Sequence, residues 1–387
     1  MRKEFLPFAR PQIGEDAIAD VADSIRSGWL TTGPKTQRFE ETFGAFVGSP
    51  YALAVNSGTA GLHLALIAFG IGQGDEVVTT PMTFAATINT IIMTGATPVL
   101  ADIDRRTFNI DPEKLERAVT PRTKAVIPVH FAGRPCDMEA IESIAGRHGL
   151  IVIEDAAHAL GARSHGKLVG AAKGQGHATV FSFHPTKNIT TGEGGMVCTS
   201  EETAAEKVAM LRQHGMSKGA WNRYAVSGTP HYDIFFAGLK YNMLDIQAAI
   251  GNEQLPRLEG FNARRKEIAA TYTRKLADCR GIILPPEVEP EDTHSWHIFT
   301  PLVDIDTLGF TRDDFMSRMR RLNIGTALHY KPVHLFSFFK EKYNWKRGDF
   351  PEAEFVGDRI VTIPLFPAMS DADVADVIDA ARKVTNS

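Results

Sequence analysis

Residues 181–197 read FSFHPTKNITTGEGGMV, an apolar strand followed closely by a single lysine and then by three glycines in four residues. A solvated lysine needs no such setting, whereas an amine held just past a strand end and drawn out of water becomes a nucleophile. Lys187 is therefore read as a reactive amine, and the rest of the chain must provide something for it to react with. The glycines at 192, 194 and 195 allow two readings. Either they let the backbone approach a ligand closely, or they form a tight turn between two strands.

A second chemical group lies in LIVIEDAAHA at 150–159. Strand alternation puts Ile151, Ile153 and Asp155 on one face and Val152 and Glu154 on the other. Asp155 thus ends an apolar row, where an ionised carboxylate costs several kcal/mol, of the order of an ion's desolvation penalty, unless a cation meets it. That cation is either a neighbouring arginine, with the carboxylate in a structural pair or cap, or part of a ligand.

A third group is NSGTAGLHLAL at 56–66, which follows a strand and opens a helix. Ser57, Gly58 and Thr59 offer N–H groups and hydroxyls at the positive end of that helix, a setting that suits a phosphate. The stretch is neither GxGxxG nor GxxxxGK[ST], and an ordinary N-cap explains Ser57 or Thr59 equally well. Ser182, on the strand leading to Lys187, either adds a hydroxyl to the same anion or is simply a sheet residue. Taken together, the three groups ask for one ligand carrying a phosphate, a cationic atom and an electrophilic carbonyl. Pyridoxal 5'-phosphate has all three: its aldehyde condenses with lysine and its pyridinium N–H pairs with aspartate. Phe84, in PMTFAAT, either stacks on such a ring or belongs to the core.

These residues need a scaffold, and the hydrophobic pattern describes one. Short apolar runs recur as YALAV at 51, EVVTT at 76, TPVLADI at 97, KAVIPVH at 124, LIVIEDA at 150, TVFSFH at 179 and GMVCTS at 195. Helical patterns lie among them: Glu15 to Ser27 with Ile18, Val21, Ala22 and Ile25 as its apolar stripe, Thr59 to Phe69, Phe84 to Thr94, Pro112 to Val119 behind an Asp111 N-cap, and Met138 to His148. Repeated strand–helix–strand units predict an α/β fold, a mainly parallel sheet with helices on both faces. Ligands of such sheets bind beyond the carboxyl ends of the strands, here where LIVIEDA and TVFSFH end. After about residue 250 the pattern becomes a helical stretch from Asp245 to about Leu276, HSWHIFTPLV, a capped helix opening TRDDFMSRMRRL, a strand-like IGTALHY and a final helix from Ser370. This predicts a large domain over 1–250 and a smaller α+β domain over 251–387. Residues 216–240 have no clear periodicity and read as an ordered functional loop or a mobile one.

Composition sets limits. With 387 residues and 43% hydrophobic content, the chain can bury a core large enough for two domains. A formal charge of −4 gives no basic excess for nucleic acid or a membrane surface. The N-terminus has no apolar h-region and no segment is long enough to span a membrane, so a cytoplasmic protein is expected. Cys136, Cys198 and Cys279 are far apart with no CxxC, which indicates neither disulfides nor a metal site.

Nearly the whole chain resembles the DegT/DnrJ/EryC1/StrS sugar aminotransferases, members of the aspartate-aminotransferase fold type I. The resemblance rests on SGWLTTGPKTQRFEETF, NSGTAGLHLAL, TFAATINTI, GATPVLADID, PVHFAGRPCDM, EDAAHALGA, FSFHPTKNITTGEGGMV, YNMLDIQAAIGNEQL and IGTALHYKPVH. Within the family, EFLPFARP and TPRTKAVIPVHFAG are similar to the UDP-4-amino-4-deoxy-L-arabinose aminotransferase type.

The resemblance implies roles for individual residues. Lys187 matches the cofactor-binding lysine, Asp155 the pyridine partner and His158 a neighbour of the phenolic oxygen. Gly58, Thr59 and Ser182 match phosphate contacts, and Phe84 takes the stacking position. Asn242 matches an asparagine that reaches the phosphate of a partner subunit's cofactor, which implies a homodimer with shared sites. Trp29, Thr31, His329 and Tyr330 sit in segments that approach the sugar; His329 by itself reads as a structural histidine. Some dehydratases of the family carry histidine in place of the lysine. Here Lys187 is present and His184 stands three residues before it, so transamination is the reading. The expected reaction moves an amino group from glutamate to a nucleotide-linked 4-keto-sugar. The alternatives are a 3-keto or dTDP-linked sugar, a keto-cyclitol, or a regulatory protein that keeps the fold without turnover.

Overall fold

The structure, a computed structural model, describes residues 2–217 and 231–386. Its strands are β1 (Tyr51–Val55), β2 (Glu76–Thr79), β3 (Thr97–Leu100), β4 (Thr123–Ile127), β5 (Ile151–Asp155), the short β6 (Arg163–Ser164) and β7 (Lys167–Leu168), β8 (His177–Ser182), β9 (Gly195–Thr199), β10 (Ile282–Ile283) and β11 (Leu302–Val303). The seven apolar runs read from the sequence join one sheet in the order β1-β9-β8-β5-β4-β2-β3. Its pairings are parallel from β8 through β3, while β9 runs antiparallel to both β1 and β8.

Helices α1 (Glu15–Ser27), α2 (Pro34–Val47), α3 (Gly58–Ala68), α4 (Ala85–Met93), α5 (Pro112–Ala118), α6 (Met138–His148) and α7 (Glu202–Leu211) accompany this sheet. Strand alternation decides which helix each side chain meets. Ile153, Ile127, Val77 and Val180 pack with Leu62, Leu64 and Leu66 of α3. On the opposite face Val152, Val126 and Val78 meet Ile141 and Ile144 of α6, while Phe181 and Met196 meet Phe39 and Phe43 of α2. Both faces are therefore covered, as a mainly parallel sheet requires.

Helix α2 is an element that the periodicity reading leaves unassigned. Pro34 occupies its first turn, Gly48 ends it with φ 79°, and Phe39, Phe43 and Val47 bury its inner face. Each such side chain contributes roughly 1.5–3 kcal/mol on burial. Its N-terminus is capped from a distance, because the Asp245 carboxylate accepts from Gly33 N (2.8 Å), Thr36 N (2.9 Å) and Thr36 Oγ1 (2.7 Å). In α1 the apolar stripe is not the side that packs within the chain: Ile18 is 52% and Ile25 58% exposed. The buried side carries the small Ala17 and Ser24 instead, which let α1 lie close on α8 (Asp245–Gln254).

The helix expected from Asp245 to Leu276 is two helices. It breaks after α8 at a 3-10 turn, Leu255–Arg257, before α9 (Leu258–Leu276). Pro256 supplies no N–H and crowds the preceding turn, which accounts for the break. The remaining helices are α10 (Ile305–Leu308), α11 (Arg312–Arg321), α12 (Ser337–Tyr343), α13 (Pro351–Arg359) and α14 (Asp371–Thr385). Thr311 caps α11 and Ser370 caps α14, each in a reciprocal pair with an aspartate three residues on. The strand-like IGTALHY makes only isolated bridges, Ile324 to Leu6 and Ala327 to Thr362, because no strand runs alongside it. Around these elements lies a separate apolar cluster from Ile268 to Val384, with Leu6 packed into it. Part of the aperiodic stretch 216–240 lies outside the described residues; beside it Gln213 bridges Lys240 and Met216 bridges Ile234. Among the described residues no helix is long and apolar enough to cross a membrane.

Behind the strand that carries Asp155, Glu154 organises a buried polar layer. Its carboxylate lies 2.7 Å from His130 Nε2, 3.0 Å from His177 Nε2 and 3.3 Å from Lys173 Nζ, and accepts from Thr179 Oγ1 at 2.9 Å. Burial alone would raise this carboxyl, but Lys173, His130 and His177 hold it well below the usual carboxylate range. A group depressed in this way stabilises the fold above its unfolded value near pH 4.3, and that stability is lost as the pH falls through the folded value. Glu154→Gln is accordingly expected to cost about 1–3 kcal/mol near neutral pH, by removing the buried carboxylate that His130, His177, Thr179 and the half-buried Lys173 share. Urea melts across pH check this: the gap to wild type should narrow in acid, and a gap that stays constant with pH contradicts the assignment.

Candidate active site

A cavity of about 690 Å³ opens at the carboxyl ends of β5 and β8 and is lined by Asp155, Ser182 and Lys187. Lys187 is carried by a short turn that its neighbours fix on both sides. Phe183, fully buried against Phe39 and Phe43, donates N–H to Gly194 O (2.8 Å) and accepts from Thr190 Oγ1 (2.8 Å). Asn188 Nδ2 donates to Asn262 Oδ1 (2.7 Å) and Ser295 O (2.9 Å). The half-buried lysine between these anchors has its amine pushed down to about 8 by burial, with Asp155 opposing the shift.

The glycines beyond Lys187 follow the tight-turn reading. Gly192 adopts φ 81°, and a side chain on Gly195 would lie 2.7 Å from the backbone of Ser57 and Gly58. Gly195 thus lets β9 pass beside the start of α3, and neither it nor Gly192 lines the cavity.

Asp155 is 6% exposed and finds no ion pair among the described residues, so the arginine partner considered from sequence is not present. Its Oδ2 accepts from Thr87 Oγ1 (2.8 Å), which in turn meets Thr83 Oγ1 (2.7 Å); its Oδ1 accepts from Ala157 N (3.2 Å). Burial raises this carboxyl, and the hydroxyl, the N–H and the Lys187 charge offset that only in part. Thr83 and Thr87 escaped the sequence reading; their only signal is the i, i+4 pair of hydroxyls at the start of α4.

The strand–helix turn at Ser57, Gly58 and Thr59 lines the same cavity. Ser57 caps α3 by accepting from Ala60 N (3.1 Å), while among the described residues no acceptor meets the N–H groups of Gly58 and Thr59. The Ser182 side chain lies close by, 3.0 Å from where a Gly58 Cβ would stand. Phe84, 61% exposed, lines the cavity with its ring 6.1 Å from that of Tyr330. His158, His329 and Tyr330 line it too, along with Phe8, His184, Glu193, Lys331 and Phe336, which the sequence reading did not assign to a site. Burial and the nearby lysine push His329 down to about 4 and His158 well below the usual range.

Trp29, Thr31 and Asn242 are not brought to this cavity. They form a separate knot, in which Asn242 Nδ2 donates to Thr32 Oγ1 (2.7 Å), Thr32 Oγ1 donates to Met243 O (2.6 Å) and Trp29 Nε1 donates to Thr32 O (3.2 Å). Asp245 N reaches Thr31 O at 3.3 Å in the same place.

A buried carboxylate awaiting a cation, an amine with lowered basicity and a helix start with free N–H groups are the donor set that pyridoxal phosphate needs, so the residues fit the group. A mainly parallel seven-stranded sheet with this site at its carboxyl edge defines a pyridoxal-phosphate-dependent transferase of fold type I. Residues 11–382 match the DegT/DnrJ/EryC1/StrS aminotransferase family, to which this chain belongs. It is 50% identical over 384 residues to the spore coat polysaccharide biosynthesis protein SpsC of Bacillus subtilis, covering 99% of this chain and 98% of that one. Among solved structures it is similar to Spr1654 of Streptococcus pneumoniae, assigned as a sugar aminotransferase, in its PMP-form (TM-score 0.91, 31% identity, 98% and 99% of the two chains). It is also similar to Helicobacter pylori PseC, an aminotransferase involved in the biosynthesis of pseudoaminic acid (TM-score 0.90, 28% identity, 99% and 100%). The protein is a sugar aminotransferase that uses pyridoxal phosphate.

The lowered basicity of Lys187 makes its neutral, nucleophilic form available near neutral pH. Uptake of pyridoxal phosphate by the cofactor-free protein, followed by absorbance, should therefore rise with pH around a midpoint near 8. Asp155→Asn removes the one charge that favours the ammonium, so the midpoint should move to lower pH. An unchanged midpoint would mean that the two groups do not interact.

Proposed function

We propose that the protein transfers the amino group of glutamate to a nucleotide-linked 4-keto-sugar, the nucleotide being a uridine diphosphate, in two half-reactions that share one cavity. The observation that carries this reading is the joining of Lys187, Asp155 and the α3 start to a cavity whose remaining polar lining, His184, Glu193, His329 and Lys331, suits a hydroxylated, negatively charged substrate. When bound, pyridoxal phosphate supplies an electrophilic carbonyl and an electron-withdrawing ring. Asp155 would pair with its ring nitrogen, Phe84 would pack on the ring, Gly58, Thr59 and Ser182 would hold its phosphate, and His158 would lie nearby. The Lys187 amine, whose neutral form is available near neutral pH, would be the group that takes up and returns the substrate proton. The second half-reaction runs the same proton path in reverse on the sugar, giving ping-pong kinetics. SpsC, named for spore coat polysaccharide biosynthesis, and PseC, named for that of pseudoaminic acid, support a sugar acceptor.

The same proposal includes a homodimer with shared sites. It is supported by a surface that leaves large apolar side chains uncovered: Ile18 and Ile25 on α1, Leu30 beside Trp29, and Leu244 beside Asn242. In this reading the residues of the Trp29–Thr31–Asn242 knot serve the partner's cavity. A division of the chain near residue 250 belongs to the same reading, supported by the separate apolar cluster from Ile268 to Val384.

Two experiments test these proposals. Adding glutamate to the loaded protein should convert the lysine-bound cofactor absorbance to that of the aminated form, and a panel of keto-sugars with nitrogen-labelled glutamate should favour a UDP-linked 4-keto compound. Preference for a 3-keto sugar would overturn the positional choice, and absence of any half-reaction would favour a regulatory role. For the dimer, Lys187→Ala and Asn242→Ala homodimers are each expected to be impaired. Exchanging subunits between them should restore activity toward about a quarter of wild type, since half the dimers become hybrids with one intact site. No recovery in a verified hybrid argues against shared sites.

A further inference from the structure

The hydrogen bonds around His158 fix which of its nitrogens carries the proton. Nδ1 lies 3.2 Å from Ala132 N and accepts its N–H. Nδ1 is therefore unprotonated, and a neutral imidazole must then carry its proton on Nε2. Nε2 is 3.0 Å from the Tyr330 hydroxyl, so His158 donates and Tyr330 accepts. The reverse arrangement would leave both ring nitrogens without a proton. Having accepted from the histidine, the Tyr330 hydroxyl has its own proton left to place, and no other partner meets it among the described residues.

The backbone that imposes this tautomer is built at a cost. Ala132 adopts φ 57°, uncommon for a residue with a side chain, and Gly133 follows at φ 98°. A side chain on Gly133 would stand 2.2 Å from Ser295 Oγ and 2.8 Å from His158 O. Ser295 Oγ itself donates to His158 O at 2.8 Å, clamping the histidine's backbone to the same turn.

We infer that His158 is a positioning residue whose proton is directed at Tyr330, and that the Tyr330 hydroxyl is the group that donates into the cavity, to an acceptor oxygen of the bound substrate. This rests on the transamination reading above and sharpens it. In this structure both of its nitrogens are engaged by the protein. The receiving oxygen is either a carboxylate oxygen of the amino donor or an oxygen of the sugar, and the two half-reactions tell these apart.

The tautomer is tested without turnover, by nitrogen NMR of histidine-labelled, cofactor-free protein, with the His158 signal assigned by its loss in His158→Gln. Nδ1 should appear unprotonated and Nε2 protonated; a protonated Nδ1 overturns the inference whatever the enzyme's substrate proves to be. In loaded enzyme, Tyr330→Phe should lower kcat/KM of one half-reaction about 10- to 100-fold, as expected for one lost hydrogen bond, and leave the resting absorbance maximum in place. His158→Leu should reproduce that loss, His158→Gln should recover part of it through its amide N–H, and the Tyr330→Phe, His158→Leu double variant should be no worse than either single one. A shifted resting maximum would place the donor on the cofactor rather than the substrate, and additive losses would separate the two residues; either result refutes the proposal.

Discussion

The structure turns on a carboxylate that the protein buries without neutralising. Asp155 sits at the end of β5 with one hydroxyl and one N–H as partners and no ion pair among the described residues. Leaving an ionised acid in such a place costs several kcal/mol unless a cation arrives. In the proposed function a protonated pyridine ring would be such a cation, and Asp155 the residue that would hold it in its electron-withdrawing state. The lowered basicity of Lys187 follows from the same enclosure, because the dry setting that raises the acid also disfavours the ammonium.

The scaffold's task is to hold these two groups and a helix start in register. Asp155 and Ser182 end neighbouring parallel strands, so β-ladder hydrogen bonds set their separation. Gly195 brings β9 against the start of α3, which places the N–H groups of Gly58 and Thr59 beside Ser182. Behind the site, the Glu154 layer ties β5 to His130, His177 and Lys173. One strand thus carries an acid left open for a ligand on one face and an acid satisfied by the protein on the other.

Much of this was legible in the sequence because it depends on local periodicity. The seven strands, the opposite facing of Glu154 and Asp155, and the serine cap ahead of α3 all follow from alternation and capping chemistry. Other features depend on what packs where, which periodicity does not encode. The α1 stripe is visible in sequence, but only packing reveals that Ala17 and Ser24, not Ile18 and Ile25, face α8. Thr87 meets Asp155 across 68 residues of chain, and Asp245 caps a helix that begins some two hundred residues earlier. Trp29, Thr31 and Asn242 were assigned by resemblance; the chain gathers them away from its own cavity, an arrangement that a single sequence cannot foretell.

The central claim is that one amine, Lys187, holds the cofactor covalently. Borohydride reduction of the loaded protein, followed by peptide mass mapping, tests it most directly. The account predicts a single reduced pyridoxyl group on the peptide containing Lys187. A group found instead on Lys331, or spread over surface lysines with Lys187 unmodified, would contradict it.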